Sequence, residues 1–153
     1  MSQRVFVAMS GGVDSAAAAL LLRQAGYDVT GVTLRLHPYK DRPGLCGSAD
    51  DIETARAVAA GMGIPHVVLD LCDLFRERVM DRFVWAYTHG RTPNPCIDCN
   101  REIKFGALLD WALDQGADAT AITPESASIR PPAAGSCCGA RIDGRTRRTS
   151  FIS

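Results

Sequence analysis

The sequence predicts an α/β fold with a doubly wound parallel sheet and helices on both faces. Three short segments rich in β-branched and other apolar residues, at 4–9, 28–36 and 66–70, alternate with longer segments whose apolar residues recur at helical spacing. Strands that alternate with helices are joined by right-handed crossovers, which makes the strands parallel. A fourth strand is predicted from about residue 117. Such sheets bind ligands beyond the carboxyl ends of their strands.

Each of the four predicted helices ends at a glycine, because glycine readily adopts the left-handed conformation of a helix C-cap. The first helix is expected over about residues 13–24 and the fourth over about 100–115. Ser48 and the acidic residues after it mark the start of the second helix, and Asp73 is expected to cap the third. The terminal glycines are Gly26, Gly63, Gly90 and Gly116.

Length and composition indicate one folded domain followed by a tail. The chain has 153 residues, of which 46% are hydrophobic, and this suffices for a single core. We expect the domain to cover residues 1–122. Residues 123–153 are rich in Arg, Pro, Ser, Ala and Gly and have almost no large apolar residue. Because that composition cannot bury enough surface to offset the entropy of ordering, we predict that the tail is disordered.

Charge and hydropathy limit the classes of partner. The 17 basic and 17 acidic residues balance, whereas a protein that grips nucleic acid unaided usually has a basic excess. The longest apolar run, at 16–22, is far too short to span a bilayer, and the N-terminus lacks the pattern of a secretory signal. These features predict a cytoplasmic protein without membrane contact. Catalysis or metal binding then explains the six cysteines better than a disulfide framework does.

The strongest chemical signal is the Ser-Gly-Gly-Val-Asp-Ser motif at 10–15, between the first predicted strand and helix. A glycine turn in that setting directs backbone N–H groups and a helix N-terminus at one anion, usually a phosphate. Ser10 and Ser15 would add hydroxyl donors, and Asp14 would bind a metal ion or cap the helix. The motif lacks the Lys-Ser or Lys-Thr ending of the Walker loop. A plain turn with an N-cap is the alternative to the nucleotide site that we favour.

A second chemical segment is the loop expected at 91–99, which contains two prolines and two cysteines. Cys96 and Cys99 form a C-x-x-C pair, and Cys46 lies in another loop that can reach the same sheet edge. Three thiolates at one edge would suit zinc or an iron–sulfur cluster. Alternatively, Cys99 is a reactive thiol, because the dipole of the helix expected to follow it would favour the thiolate.

These segments resemble the PP-loop ATP pyrophosphatases, whose signature is Ser-Gly-Gly-x-Asp-Ser, and among them the bacterial tRNA-specific 2-thiouridylases. The matching segments are AMSGGVDS at 8–15, GVTLRL at 31–36, DDIETARAVAAGMGIPH at 50–66 and GRTPNPCIDCNREIKFGALL at 90–109. The last segment is long and specific. The resemblance covers about residues 3–119 and implies the adenine-nucleotide-binding form of the predicted fold.

The resemblance also implies a reaction. ATP would lie with its phosphates on the glycine loop, assisted by Mg²⁺. The C2 oxygen of the wobble uridine in tRNAs of the Glu, Gln and Lys type would attack the α-phosphate and release pyrophosphate. Sulfur from a persulfide donor protein would then displace AMP and give 2-thiouridine.

The resemblance implies a role for individual residues at the positions that match the family's motifs. The ATP-binding residues would be Ala8, Met9, Ser10, Gly11, Gly12, Val13, Asp14, Ser15 and, through its backbone near the adenine, Leu34. Asn94, Pro95 and Cys96 match the segment that contacts the target base. Cys99 matches the first catalytic cysteine. Arg101 and Lys104 would support its thiolate or contact RNA phosphate, with a solvated helix face as the alternative.

The resemblance is expected to end near Ala119. The family continues its fourth strand into a glycine-containing motif that holds the nucleotide, and it supplies a second catalytic cysteine and tRNA-binding domains further on. Cys137 and Cys138 lie in unrelated surroundings, and we do not expect them to replace that cysteine. We therefore expect a truncated or frameshifted product with an incomplete sheet, which does not complete sulfur transfer alone.

Two other functions compete with thiolation. The first is that of another PP-loop enzyme, such as an NAD, GMP or argininosuccinate synthetase, in which nitrogen attacks the adenylate. The cysteines at 91–99 argue against this class, because forming an amide needs no thiol there. The remaining alternative is an inactive nucleotide-binding fragment.

Overall fold

The computed structural model describes residues 2–38, 46–122, 127–129 and 138–140. In these residues one sheet has the strand order β3-β2-β1-β4-β5-β6. Its strands are β1 (Arg4–Ala8), β2 (Asp28–Arg35), β3 (His66–Asp70), β4 (Ala119–Ala121), β5 (Ala127–Ile129) and β6 (Cys138–Ala140).

The first four strands are parallel, as the sequence predicts. Strand β1 pairs with β2 on one side, with Val5 opposite Val29, and with β4 on the other, with Val5 opposite Ala119. Strand β3 continues the sheet beyond β2. The chain thus moves outward from β1 to β3 and then returns to the opposite side of β1. This reversal creates a switch point at the carboxyl end of β1, where doubly wound sheets bind ligands.

Four helices lie within the same described residues. Helix α1 is Val13–Gln24 and helix α2 is Ala49–Met62. Helix α3 covers residues 72–88 and consists of Cys72–Phe75, a π-helical segment Arg76–Met80, and Asp81–Thr88. Helix α4 covers residues 95–114 and consists of Pro95–Asp98, a π-helical segment Cys99–Ala107, and Leu108–Asp114. No helix of the described chain is long and apolar enough to cross a membrane.

Two apolar layers hold the helices to opposite faces of the sheet. Because side chains alternate along a strand, Val5 and Val7 of β1 face one layer and Phe6 faces the other. The first layer contains Ala18, Ala19 and Leu22 of α1 with Ala55 and Ala59 of α2. The second contains Phe75 and Val79 of α3 with Ile103, Leu108 and Ala112 of α4. This arrangement confirms the prediction of helices on both faces.

The last two helices begin earlier than predicted. Asp73 does not cap α3, which starts at Cys72 after Leu71. Helix α4 starts at Pro95, not near residue 100, because the Asn94 side chain accepts a hydrogen bond from the Cys96 N–H and Pro95 takes the first helical position. Cys96 and Cys99 therefore lie within a helix and not in a loop.

The sheet continues into the segment for which we expected disorder. Strand β5 pairs antiparallel with β4, and β6 pairs antiparallel with β5. Main-chain hydrogen bonding at an open sheet edge needs no large apolar side chain, so composition alone did not reveal these six residues. The remaining residues between 123 and 153, Cys137 included, lie outside the described part of the chain, and the expectation of disorder is untested for them.

We predict that Ile103→Ala lowers the free energy of unfolding by about 2–5 kcal/mol, because it leaves a cavity in the second layer. The Ile103 side chain is fully buried. Ile97→Ala is the matched control on the same helix, since Ile97 is 60% exposed, and it should cost less than about 0.5 kcal/mol. Urea unfolding monitored by circular dichroism measures both. Equal losses in the two variants would contradict the assignment of the buried face of α4.

Candidate functional site

The glycine loop leaves the carboxyl end of β1 and passes beside α2. Gly11 has a φ of 77°, a conformation that other residues rarely adopt. A Cβ on Gly11 would lie 3.1 Å from the Asp51 carbonyl oxygen and 3.3 Å from the Thr54 Cβ. Backbone conformation and close packing against α2 therefore both require glycine at this position.

The N-terminus of α1 is open, unlike those of two other helices. Gly12 is its N-cap, and among the residues that the structure describes no side chain accepts a hydrogen bond from its first-turn amides. In contrast, Ser48 and Asp51 form a capping box on α2, and Asn94 caps α4. Asp14 is exposed in the first turn and does not cap the helix. Uncapped amides behind a glycine turn favour a bound anion over the plain N-cap alternative.

The Ser15 hydroxyl holds the loop together from inside. Ser15 is buried, and its Oγ accepts a hydrogen bond from the Ser10 N–H at 3.2 Å and donates one to the Gly12 carbonyl at 3.0 Å. In the described structure this hydroxyl donates inside the loop, and its expected role as a donor to phosphate stays a prediction. Ser10 is exposed, with its Oγ 3.5 Å from the Ser15 Oγ.

Two residues that the sequence analysis missed fix the start of the loop. The Thr33 Oγ1 donates to the Met9 carbonyl at 2.8 Å and also lies 2.8 Å from the His66 Nε2. The Met9 N–H donates to the Val32 carbonyl at 2.8 Å. The sequence signals this contact only by a threonine within the strand predicted at 28–36, because His66 meets Thr33 only once β2 and β3 pair.

The other residue expected at the nucleotide, Leu34, lies on β2 at the same edge of the sheet. Its side chain is buried in the second apolar layer. The chain after β2 returns over it at Gly47, where a Cβ would collide with the Leu34 carbonyl oxygen. Its backbone contact with adenine stays a prediction.

The cysteines of α4 have different environments. Cys96 is exposed, whereas Cys99 is half-buried and packs against the second apolar layer. Burial raises the pKa of the Cys99 thiol, and Cys46 and Cys96 add to the rise while Lys104 opposes it. The predicted lowering of the Cys99 pKa by a helix dipole is wrong, because the helix begins four residues earlier and the side chain is half-buried against the second apolar layer.

The three cysteines suggested for zinc or an iron–sulfur cluster do not form a metal-binding group. Among the described residues, no three His, Cys, Asp or Glu side chains converge in a way that could hold a metal ion. Cys46 and Cys96 are exposed, while Cys99 is half-buried against the second apolar layer. Cys72 is also a free thiol, and burial together with Asp70 raises its pKa to about 11.

The basic residues after Cys99 have separate roles. Arg101 forms ion pairs with Asp98 at 2.9 Å and Glu102 at 3.1 Å. Arg82 of α3 reaches the same Glu102 at 3.0 Å. Arg101 is thus engaged on the helix surface, which agrees with the alternative of a solvated face. Lys104 is the cation that acts on Cys99.

We predict that iodoacetamide modifies Cys96 about tenfold faster than Cys99 near neutral pH. The reagent attacks exposed thiolates, and Cys99 is both half-buried and raised in pKa. Peptide mass spectrometry measures the two rates, with Cys99→Ser to assign the signals. In denaturant the rates should converge. Faster modification of Cys99 in the native chain would contradict its burial.

Comparison with known proteins identifies the family. Residues 3–126 match the tRNA methyl transferase HUP domain family. A protein of Methylobacterium sp. strain 4-46 named tRNA-specific 2-thiouridylase MnmA is 49% identical over 152 residues, which cover 97% of this chain and 40% of that protein. A protein of the same name from Methylobacterium nodulans is 54% identical over 136 residues, covering 87% and 35%. The similarity extends beyond residue 119, the expected limit.

Solved structures give the same fold. A protein of Methanocaldococcus jannaschii described as "predicted subunit of tRNA methyltransferase" has a TM-score of 0.51 at 21% identity over 74% of this chain and 50% of that one. An NH3-dependent NAD synthetase from Campylobacter jejuni also has a TM-score of 0.51, at 18% identity over 78% and 46%. At these identities the likeness concerns the fold alone.

The chain spans about two fifths of the length of the curated relatives it matches. The family match covers most of the chain, including the glycine loop, β2, and the cysteine segment of α4. The chain therefore belongs to the tRNA methyl transferase HUP domain family.

Proposed function

We propose that this chain is the ATP-binding part of a tRNA 2-thiouridylase, which adenylates the C2 oxygen of a wobble uridine before sulfur replaces it. The observation that carries the proposal is the open N-terminus of α1 behind a glycine loop at the switch point of the sheet. The relatives named tRNA-specific 2-thiouridylase support this reaction over others of the same fold.

In the proposed adenylation, the protein stabilises charge and needs no nucleophile of its own. The uridine oxygen attacks the α-phosphate, the bond to the β-phosphate breaks, and pyrophosphate leaves with the electron pair. The backbone N–H groups from Gly11 to Asp14 would bind the phosphates, since donors fixed in advance stabilise developing negative charge well. Adenylation converts a poor leaving oxygen into AMP, which the sulfur then displaces.

Asp14 fits a role beside Mg²⁺. Its carboxylate is exposed in the first turn of α1, next to the amides that would receive the phosphates. Magnesium in such sites is held by one or two carboxylates together with substrate phosphates. The ion would neutralise charge on the leaving pyrophosphate, and Asp14 would orient it.

The start of α4 is the proposed meeting point of base and sulfur. Asn94, Pro95 and Cys96 would contact the target uridine. After the outer sulfur of a protein-bound persulfide displaces AMP from C2, the Cys99 thiolate would attack the inner sulfur, which forms a disulfide with the carrier cysteine and leaves the outer sulfur on C2. Cys96 is exposed and Cys99 is half-buried one helical turn away. In this proposal Lys104 favours the Cys99 thiolate against the effect of burial. The proposed substrates are tRNAs of the Glu, Gln and Lys type in the cytoplasm.

The fold that this chain shares with an NH3-dependent NAD synthetase is compatible with a second candidate reaction, in which ammonia attacks an adenylate. The paired cysteines of α4 argue against it, because forming an amide requires no thiol. The two candidates differ in the molecule that stimulates pyrophosphate release.

We predict that Gly11→Ala weakens ATP binding at least about tenfold, because the added Cβ forces the loop away from α2. Gly26→Ala is the matched control. Gly26 has a similar φ of 90°, but no atom of the described chain lies within 4 Å of its added Cβ, so its substitution should lower stability by about 1–2 kcal/mol and leave ATP affinity unchanged. Calorimetric titration with ATP and Mg²⁺ measures affinity. Equal affinity in the two variants would refute the loop assignment.

We predict that pyrophosphate release from ATP is stimulated by an anticodon stem-loop with an unmodified wobble uridine. The same RNA with 2-thiouridine already present should not stimulate it, since the attacking oxygen is replaced. A coupled phosphate assay measures pyrophosphate release with each of the two RNAs. In a third reaction ammonia is added in place of RNA. Stimulation by ammonia and not by RNA would establish the synthetase alternative.

A further inference from the structure

We infer that Thr33 and His66 are positioning residues, which fix the peptide that opens the phosphate-binding loop through a directional chain of hydrogen bonds. The inference deepens the proposed function and rests on it, because it assigns residues to the same ATP site. Neither residue belongs to the glycine motif, and they lie on different strands, β2 and β3.

The chain of hydrogen bonds runs from β3 to the N-terminus of α1. The Thr33 hydroxyl has one proton, which it donates to the Met9 carbonyl at 2.8 Å. It therefore accepts from the His66 Nε2 at 2.8 Å, which requires a proton on that nitrogen. On the other side of the Met9–Ser10 peptide, the Ser10 N–H donates to the Ser15 Oγ, which donates to the Gly12 carbonyl.

Planarity of the peptide bond gives this chain its effect on the loop. The Met9 carbonyl and the Ser10 N–H belong to one rigid plane, so a bond to either end limits rotation of both. Thr33 holds the carbonyl from β2, and Ser15 holds the N–H from α1. The orientation of this plane therefore limits the directions that the following Gly11 and Gly12 amides can take. Thr33 and Met9 are buried, so water does not compete for these bonds.

The surroundings of His66 keep its other ring nitrogen unprotonated. The Nδ1 is buried and has no hydrogen-bond partner in the described structure. A bare acceptor there costs less than an unpaired N–H, so Nε2–H is the stable neutral tautomer. Burial lowers the pKa of His66, Arg56 of α2 lowers it further, and Glu53 of the same helix opposes them. The imidazole thus donates to Thr33 in its neutral form at neutral pH.

The test compares Thr33→Val with Thr33→Ser. Valine keeps the shape but removes both hydrogen bonds, and we expect ATP affinity to fall about three- to tenfold. Serine restores the hydroxyl and should bind ATP within about twofold of the unaltered chain. Thr30→Val is the matched control, because Thr30 lies on the other face of the same strand. Calorimetric titration measures affinity, and thermal unfolding shows whether each variant is folded.

Nitrogen NMR of the unaltered chain tests the hydrogen-bond direction without any variant. We expect the His66 Nε2 to be protonated and the Nδ1 bare near neutral pH. The opposite tautomer would overturn the inference, even if Thr33→Val fails to fold. Unchanged affinity in a folded Thr33→Val, or a Thr33→Ser as weak as Thr33→Val, would also overturn it. Absence of ATP binding by the unaltered chain would instead refute the proposed function.

Discussion

The parallel pairing of β1 with β2 on one side and β4 on the other determines where this chain can bind a ligand. Because the chain runs outward from β1 to β3 and then returns to the opposite side of β1, the strand order reverses at the carboxyl end of β1, where the glycine loop begins. The apolar layers on both faces fix β1 in that position. The open N-terminus of α1, the exposed Asp14 and the bonds to Met9 all depend on this placement. The position of the proposed phosphate site is thus a consequence of sheet topology.

The residue at which α4 starts determines the environments of Cys96 and Cys99. Asn94 and Pro95 begin the helix early, and the helix then carries Cys99 towards the apolar layer while Cys96 remains in solvent. Two cysteines only three residues apart thus differ in exposure and in the ease of forming a thiolate. A role for Cys99 in sulfur transfer therefore requires a cation such as Lys104 to offset the effect of burial on its pKa. The C-x-x-C spacing alone suggested that Cys96 and Cys99 are two similar metal ligands.

Much of the fold could be predicted because its signals are local. Strand β3 and helix α1 lie where periodicity and terminal glycines indicated, and α2 begins after Ser48 with Asp51 in its first turn, as the Ser and acidic residues indicated. The errors have both local and non-local causes. Asp73 resembles a cap, but the carboxylate of Asp70 accepts the Cys72 N–H instead. Strands β5 and β6 form by main-chain pairing with a sheet edge, which composition does not record.

The sequence by itself determined the alternation of strands and helices, the glycine turn after β1 and the presence of thiols in a proline-containing segment, because each depends on neighbours within a few residues. Only the tertiary structure decided that Cys99 is half-buried and that Thr33 bonds both the Met9 carbonyl and His66. These features depend on contacts between strands and helices far apart in the chain. Burial and hydrogen-bond direction follow from such contacts, and no local pattern encodes them.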